Sequence, residues 1–111
     1  MNAAAKSGLK SHLDLDAMRR NASDAVSLLK GLANESRLMI LCVLAEGEMS
    51  VGKLNKRINL SQSALSQHLA WLRKAGLVTT RKQAQTVFYS LSGDEAQRVI
   101  AVLKQLYCPD E

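Results

Sequence analysis

The chain has 111 residues, 47% of them hydrophobic and only four of them aromatic, which fits one domain built on a small aliphatic core. No apolar run approaches the roughly 20 residues that cross a bilayer, and the N-terminus lacks the apolar stretch of a secretory signal, so we expect a cytoplasmic protein with reduced thiols. The net charge of +5 is concentrated: between Met49 and Gly93 there is no acidic residue, only Lys53, Lys56, Arg57, Arg73, Lys74, Arg81 and Lys82, while the remainder carries −2. A one-signed surface of this kind favours a polyanion, nucleic acid first, although charge alone also describes an ordinary solvated face.

Residues 1–12 mix small and basic residues with no apolar period and are expected to be a disordered tail, leaving 13–111 as the folded domain. From Asp14 onward Leu15, Ala22 and Leu29 interleave with Met18, Ala25 and Leu32 at spacings of seven, which predicts one apolar helix stripe ending near Gly31 to Asn34. Asn34 reads as the N-cap of a second helix with Leu38, Leu41, Cys42 and Ala45 on one face and Gly47 just past its end. Met39, Ile40, Val43 and Leu44 make that helix apolar nearly all round, and hence central. Ser50 caps a short third helix in which Val51, Leu54 and Ile58 point inward and Lys53, Lys56 and Arg57 outward.

Ser61 opens a fourth helix with Leu65, Leu69 and Leu72 buried, and Gly76 is its natural stop. The period then changes from 3.6 to 2. Residues 77–82 and 86–91 read as antiparallel strands around a tip, Gln83, Ala84 and Gln85, that has no glycine. Ser92 and Gly93 lead into a last helix whose stripe is Ala96, Val99, Leu103 and Leu106, with Ile100 and Tyr107 alongside and Pro109 ending it.

Four helices, a hairpin and a helix, mainly α with a small β-hairpin, is the order of a winged helix-turn-helix. The first and last helices carry one apolar stripe each and have no place in the central packing. They are therefore the expected surface of a homodimer, with Leu15, Met18, Ala22, Val99, Leu103 and Leu106 in the interface. If Leu65, Leu69 and Leu72 hold the fourth helix to the core, its outer face presents Gln62, Ser63, Ser66 and Gln67 with His68 beside them, short polar side chains that let a helix approach base edges closely. The helix N-terminus adds an anion site at Ser61 to Ser63. Arg81 and Lys82 at the hairpin tip are placed to touch phosphate, which fixes register without reading sequence. A dimer of such heads implies double-stranded DNA with a partly palindromic site.

The stretch LSQSALSQHLAWLRKAGLV, Leu60 to Val78, resembles the ArsR/SmtB family of winged-helix repressors, whose mark is an S-Q-S-x-x-S-Q-H-L helix followed by L-R-x-A-G-L-V. The segments LLKGLANESRLMIL and QTVFYSL resemble the same family, over about Val26 to Tyr107. The resemblance implies a dimeric, operator-binding transcription regulator. Members of the family usually sense metals, but Ser50, Val51 and Gly52 stand where a cysteine pair is often found and the last helix has no histidine, so no metal site and no cofactor are expected.

What remains is Cys42 in the second helix and Cys108 just past the last. One cysteine at each of these places, without a metal motif, resembles the thiol-switch branch of the family, the persulfide-responsive repressors. In that branch reactive sulfur species or an oxidant link the two thiols and DNA is released. The residues alone leave a second reading open, because Cys42 among Leu41, Val43 and Leu44 also reads as an inert buried thiol. A regulator without thiol sensing, whether architectural or anti-silencing, a metal-responsive repressor and a protein-interaction module are the alternatives. An enzyme is not expected: Ser66 and His68 lie two apart on one helix with no acid in the segment to orient the imidazole.

Overall fold

The computed structural model describes residues 14–109, so the expected tail over 1–12 lies outside the described residues. The elements are α1 (Leu15–Leu32), α2 (Glu35–Leu44), β1 (Met49–Ser50), α3 (Val51–Arg57), α4 (Gln62–Lys74), β2 (Val78–Gln83), β3 (Thr86–Leu91) and α5 (Glu95–Tyr107). Four helix starts follow from one piece of chemistry. The side-chain oxygens of Asp14, Asn34, Ser50 and Ser61 accept from the backbone N–H three residues on, at 3.0–3.1 Å, which satisfies donors the helix itself cannot pair. The stop of α4 is a Schellman motif: Leu77 N–H donates to Leu72 C=O and Gly76 N–H to Arg73 C=O, with Gly76 at φ +79°.

Ile40, Leu41 and Leu44 of α2, Leu54 of α3, Leu65, Leu69 and Leu72 of α4, Val78 of β2 and Ile100 of α5 are almost wholly shielded from solvent and make one core. α2 is central, as its nearly all-round apolar sequence predicts. Of Leu38, Leu41, Cys42 and Ala45 only Leu41 is buried and the other three are half-buried, while Ile40, Val43 and Leu44 are buried with Leu41. A helix packed by α1, α3, α4, β3 and α5 has no single stripe to bury, so its neighbours decide which side is deepest.

The sheet has three strands in the order β1-β3-β2, all antiparallel. β1 was not expected. Its two residues pair with Tyr89 and Phe88 and cover the edge of β3 that the hairpin leaves open. The expected tip is shorter by one residue: Gln83 pairs with Thr86, so Ala84 and Gln85 alone make the turn, with Ala84 at φ +55° in place of the glycine such turns favour.

The expected stripe of α5 divides. Ala96 and Ile100 are buried, Val99 and Leu103 half-buried, and Val102, Leu106 and Tyr107 exposed. On α1 Leu15, Met18, Val26 and Leu29 are exposed, so both terminal helices present apolar side chains that the described residues do not cover. No helix among the described residues is long and apolar enough to cross a membrane.

Candidate nucleic-acid interface and thiol pair

Leu65, Leu69 and Leu72 anchor α4, which leaves Gln62, Ser63, Ser66 and Gln67 exposed along the outer side of its N-terminal half, just after the exposed cap Ser61. His68 lies 100° further round the helix from Gln67 and is half-buried, so it stands at the margin of that face and not within it. Past it, Trp71 packs under Arg37 of α2, whose guanidinium carbon lies 4.0 Å from the ring centroid. Arg37 Nη2 also donates to Lys30 C=O at 2.7 Å, while its buried Nε has no partner among the described residues. One arginine thus ties the end of α1 and the start of α2 to the exposed helix, a link no sequence pattern indicated.

The acid-free stretch is partly neutralised from just outside it. Arg57 makes a two-pronged ion pair with Glu46 at 2.9 and 3.2 Å, and Arg81 another with Glu48 at 2.7 and 2.9 Å. The hydrogen bonds from Arg57 and Arg81 hold the two carboxyls below the usual carboxylate range. Arg81 also donates to Gln83 and lies over Phe88, 4.4 Å from its centroid. Of the two cations expected at the hairpin tip, Arg81 is therefore engaged on the sheet. Lys82 is exposed and makes no ion pair among the described residues.

Both cysteines are free, Cys42 half-buried on α2 and Cys108 exposed at the end of α5. The two helices pack together, and Gln97 of α5 donates to Ala45 C=O at 3.3 Å. Burial pushes the Cys42 thiol up; the nearby Lys104 charge opposes this, and Cys108 and Glu46 add to it. The two thiols, 66 positions apart in sequence, thus lie on two helices that pack against each other. Among the described residues no three His, Cys, Asp or Glu side chains gather as a metal cage.

A three-stranded wing beside an exposed polar helix, on a mainly helical core, defines a winged helix-turn-helix DNA-binding transcription regulator. Residues 34–80 match the family described as bacterial regulatory protein, arsR family. The chain is 59% identical to transcriptional activator HlyU of Vibrio cholerae over 86% of its length and 89% of that protein's. The structure of reduced HlyU from Vibrio cholerae N16961 superposes with a TM-score of 0.76 at 60% identity, over 84% of this chain and 98% of that one. The transcriptional repressor BigR from Xylella fastidiosa superposes at 0.78 with 38% identity, over 86% and 98%. At 27% identity, the homodimeric winged helix-turn-helix domain of Mb0332 from Mycobacterium bovis gives 0.68 over 87% and 88%. The protein belongs to the ArsR family of transcription regulators and is not an enzyme.

Proposed function

We propose that the protein binds a partly palindromic operator as a homodimer and lets go when Cys42 and Cys108 become linked. The packing of α5 on α2, with the half-buried Cys42 on one helix and the exposed Cys108 at the end of the other, carries this reading. Relatives support its parts: one homologous structure is described as reduced HlyU, and a structural neighbour as a homodimer. Gln62, Ser63, Ser66 and Gln67 read base edges in the major groove, Ser61 and the free N–H groups behind it meet a phosphate, His68 borders the contact, and Lys82, with Arg81 behind it, reaches backbone. Leu15, Met18 and Ala22 of α1 and Val99, Leu103 and Leu106 of α5 meet their copies across a two-fold axis. The reaction belongs to the cytoplasm, where both thiols start reduced.

The chemistry balances with a low-molecular-weight persulfide as oxidant. The exposed Cys108 thiolate attacks the outer sulfur of R–S–SH, the S–S bond breaks and RS⁻ leaves, so Cys108 carries a persulfide. The Cys42 thiolate then attacks the Cys108 sulfur and expels HS⁻. Two protein thiols are oxidised to a disulfide while the persulfide is reduced to a thiol and hydrogen sulfide. A bridge that favours the non-binding geometry by about 1.4–2.7 kcal/mol lowers DNA affinity tenfold to a hundredfold.

The test is DNA retention by the parent, Cys42→Ser and Cys108→Ser proteins before and after glutathione persulfide. All three are expected to bind when reduced, and only the parent to release. Release of both single variants, or a treated parent with no cross-link by mass spectrometry, refutes the switch while leaving the regulator in place.

A further inference from the structure

Arg57 and Arg81 are each held by a carboxylate, whereas Arg73 and Lys74 at the end of α4 have no ion pair among the described residues. They line an open cleft of about 440 Å³ between α4, the start of α3 and β3, together with Ser66, Ala70, Val51 and Tyr89. Ser66, Ala70 and Arg73 follow one another at i, i+4 and i+7, so they form a single edge of α4, the edge turned toward the wing. The small Ala70 leaves the opening between the other two. Tyr89 comes from the middle of the sheet, paired with Met49 and Thr80, and its half-buried side chain packs against the core. Neither its hydroxyl nor that of Ser66 is hydrogen-bonded to another side chain or backbone group among the described residues. Two cations and two hydroxyl donors therefore line a concave site that, among the described residues, contains no carboxylate.

The two edges of α4 differ in a way that identifies the ligand. A helix lying in a DNA groove is flanked by sugar-phosphate walls. On the side of Trp71 the surface is closed by the stacked Arg37, whereas on the side of Arg73 it is open, cationic and continuous with the polar face at Ser66. We infer that this cleft is an anion site that takes one backbone phosphate of the bound duplex, with Arg73 and Lys74 supplying charge and Ser66 and Tyr89 donating hydrogen bonds. The inference rests on the DNA-binding reading and moves Ser66 from the base-reading set to the phosphate-holding set. It also assigns the wing a second role through Tyr89, in its middle, beside the one at its tip.

The experiment compares the parent, Arg73→Gln and Tyr89→Phe on a duplex selected by the parent from a random pool, on a random duplex, and on versions of the selected duplex in which single phosphates are replaced by neutral methylphosphonate. Arg73→Gln is expected to weaken selected and random duplex alike, by roughly ten- to a hundredfold at low salt, and to flatten the slope of log affinity against log salt by about 0.9. At one phosphate in each half-site the methylphosphonate should abolish the Arg73→Gln penalty, and Tyr89→Phe should lose affinity at that same phosphate. A parent that binds duplex while Arg73→Gln costs nothing, or costs the same at every substituted phosphate, overturns the inference alone. A parent that binds no duplex overturns the regulator reading and this one with it. Inorganic phosphate, titrated into the free protein by NMR, tells a backbone site from a site for a free anion. Saturation at submillimolar phosphate with displacement from DNA would reassign the cleft to a soluble effector and overturn the duplex assignment.

Discussion

Leu106→Asp separates dimerisation from folding. Leu106 is 65% exposed in the single chain, so its removal takes nothing from the core around Ile100 and Leu41. Leu103, one turn earlier, is half-buried and would confound the two effects. Full burial of a leucine side chain is worth about 1.5–3 kcal/mol, and covering the exposed two-thirds of Leu106 about 1–2 kcal/mol. A two-fold axis would count each contact twice, so the proposed dimer is expected to lose about 2–4 kcal/mol, roughly 30- to 1000-fold in its dissociation constant. Bringing an aspartate toward an apolar partner adds further cost. Sedimentation equilibrium over a wide concentration range reads the constant directly, and a circular-dichroism melt at low concentration checks that the monomer still folds. A dissociation constant within threefold of the parent's, with an unchanged melt, would remove the end of α5 from the interface.

Glu48→Gln removes the charge that holds Arg81 and should strengthen binding to random duplex and steepen its salt dependence, as read by fluorescence anisotropy; an unchanged salt slope would place Arg81 away from the backbone. Ala84→Gly relieves a left-handed residue at the hairpin turn and should stabilise the protein by about 0.5–1 kcal/mol, a rise of roughly 2–8 °C in melting temperature, whereas a fall would show that the turn tolerates alanine without strain. Because burial raises the Cys42 thiol, its thiolate fraction at neutral pH lies below that of a free cysteine. The rate of bridge closure should therefore keep climbing with pH beyond the point where a cysteine peptide levels off. Quenched-flow mass spectrometry on the Cys108 persulfide gives that profile, and a plateau in the ordinary thiol range would contradict the assignment of Cys42 as the resolving thiol.

The features legible in the sequence are those carried by neighbours three or four residues apart. Asn34, Ser50 and Ser61 announce their caps locally, Gly76 announces the Schellman stop, and Leu65, Leu69 and Leu72 announce which side of α4 faces in. What stayed hidden depends on elements meeting in space. Glu48 lies 33 positions from Arg81, and nothing in either segment signals that the first carboxylate outside the basic stretch will neutralise a cation within it. β1 is two residues long, too short for any period, and forms because β3 offers it an edge. The split of α5 into a core side and an uncovered side depends on which of its residues meet α2, and a hydrophobic stripe alone does not encode that.

The stack of Arg37 on Trp71 gives the protein an optical gauge. The chain has one tryptophan, it stands on the helix proposed to enter the groove, and the cation above it belongs to the helix that carries Cys42. A guanidinium 4.0 Å from an indole alters its emission, and sliding α2 along α4 by even part of a turn would change that distance. Steady-state and stopped-flow emission of the unlabelled protein can therefore time the motion between the thiol-bearing helix and the groove-facing one. Arg37→Met serves as the reference from which the coupling has been removed.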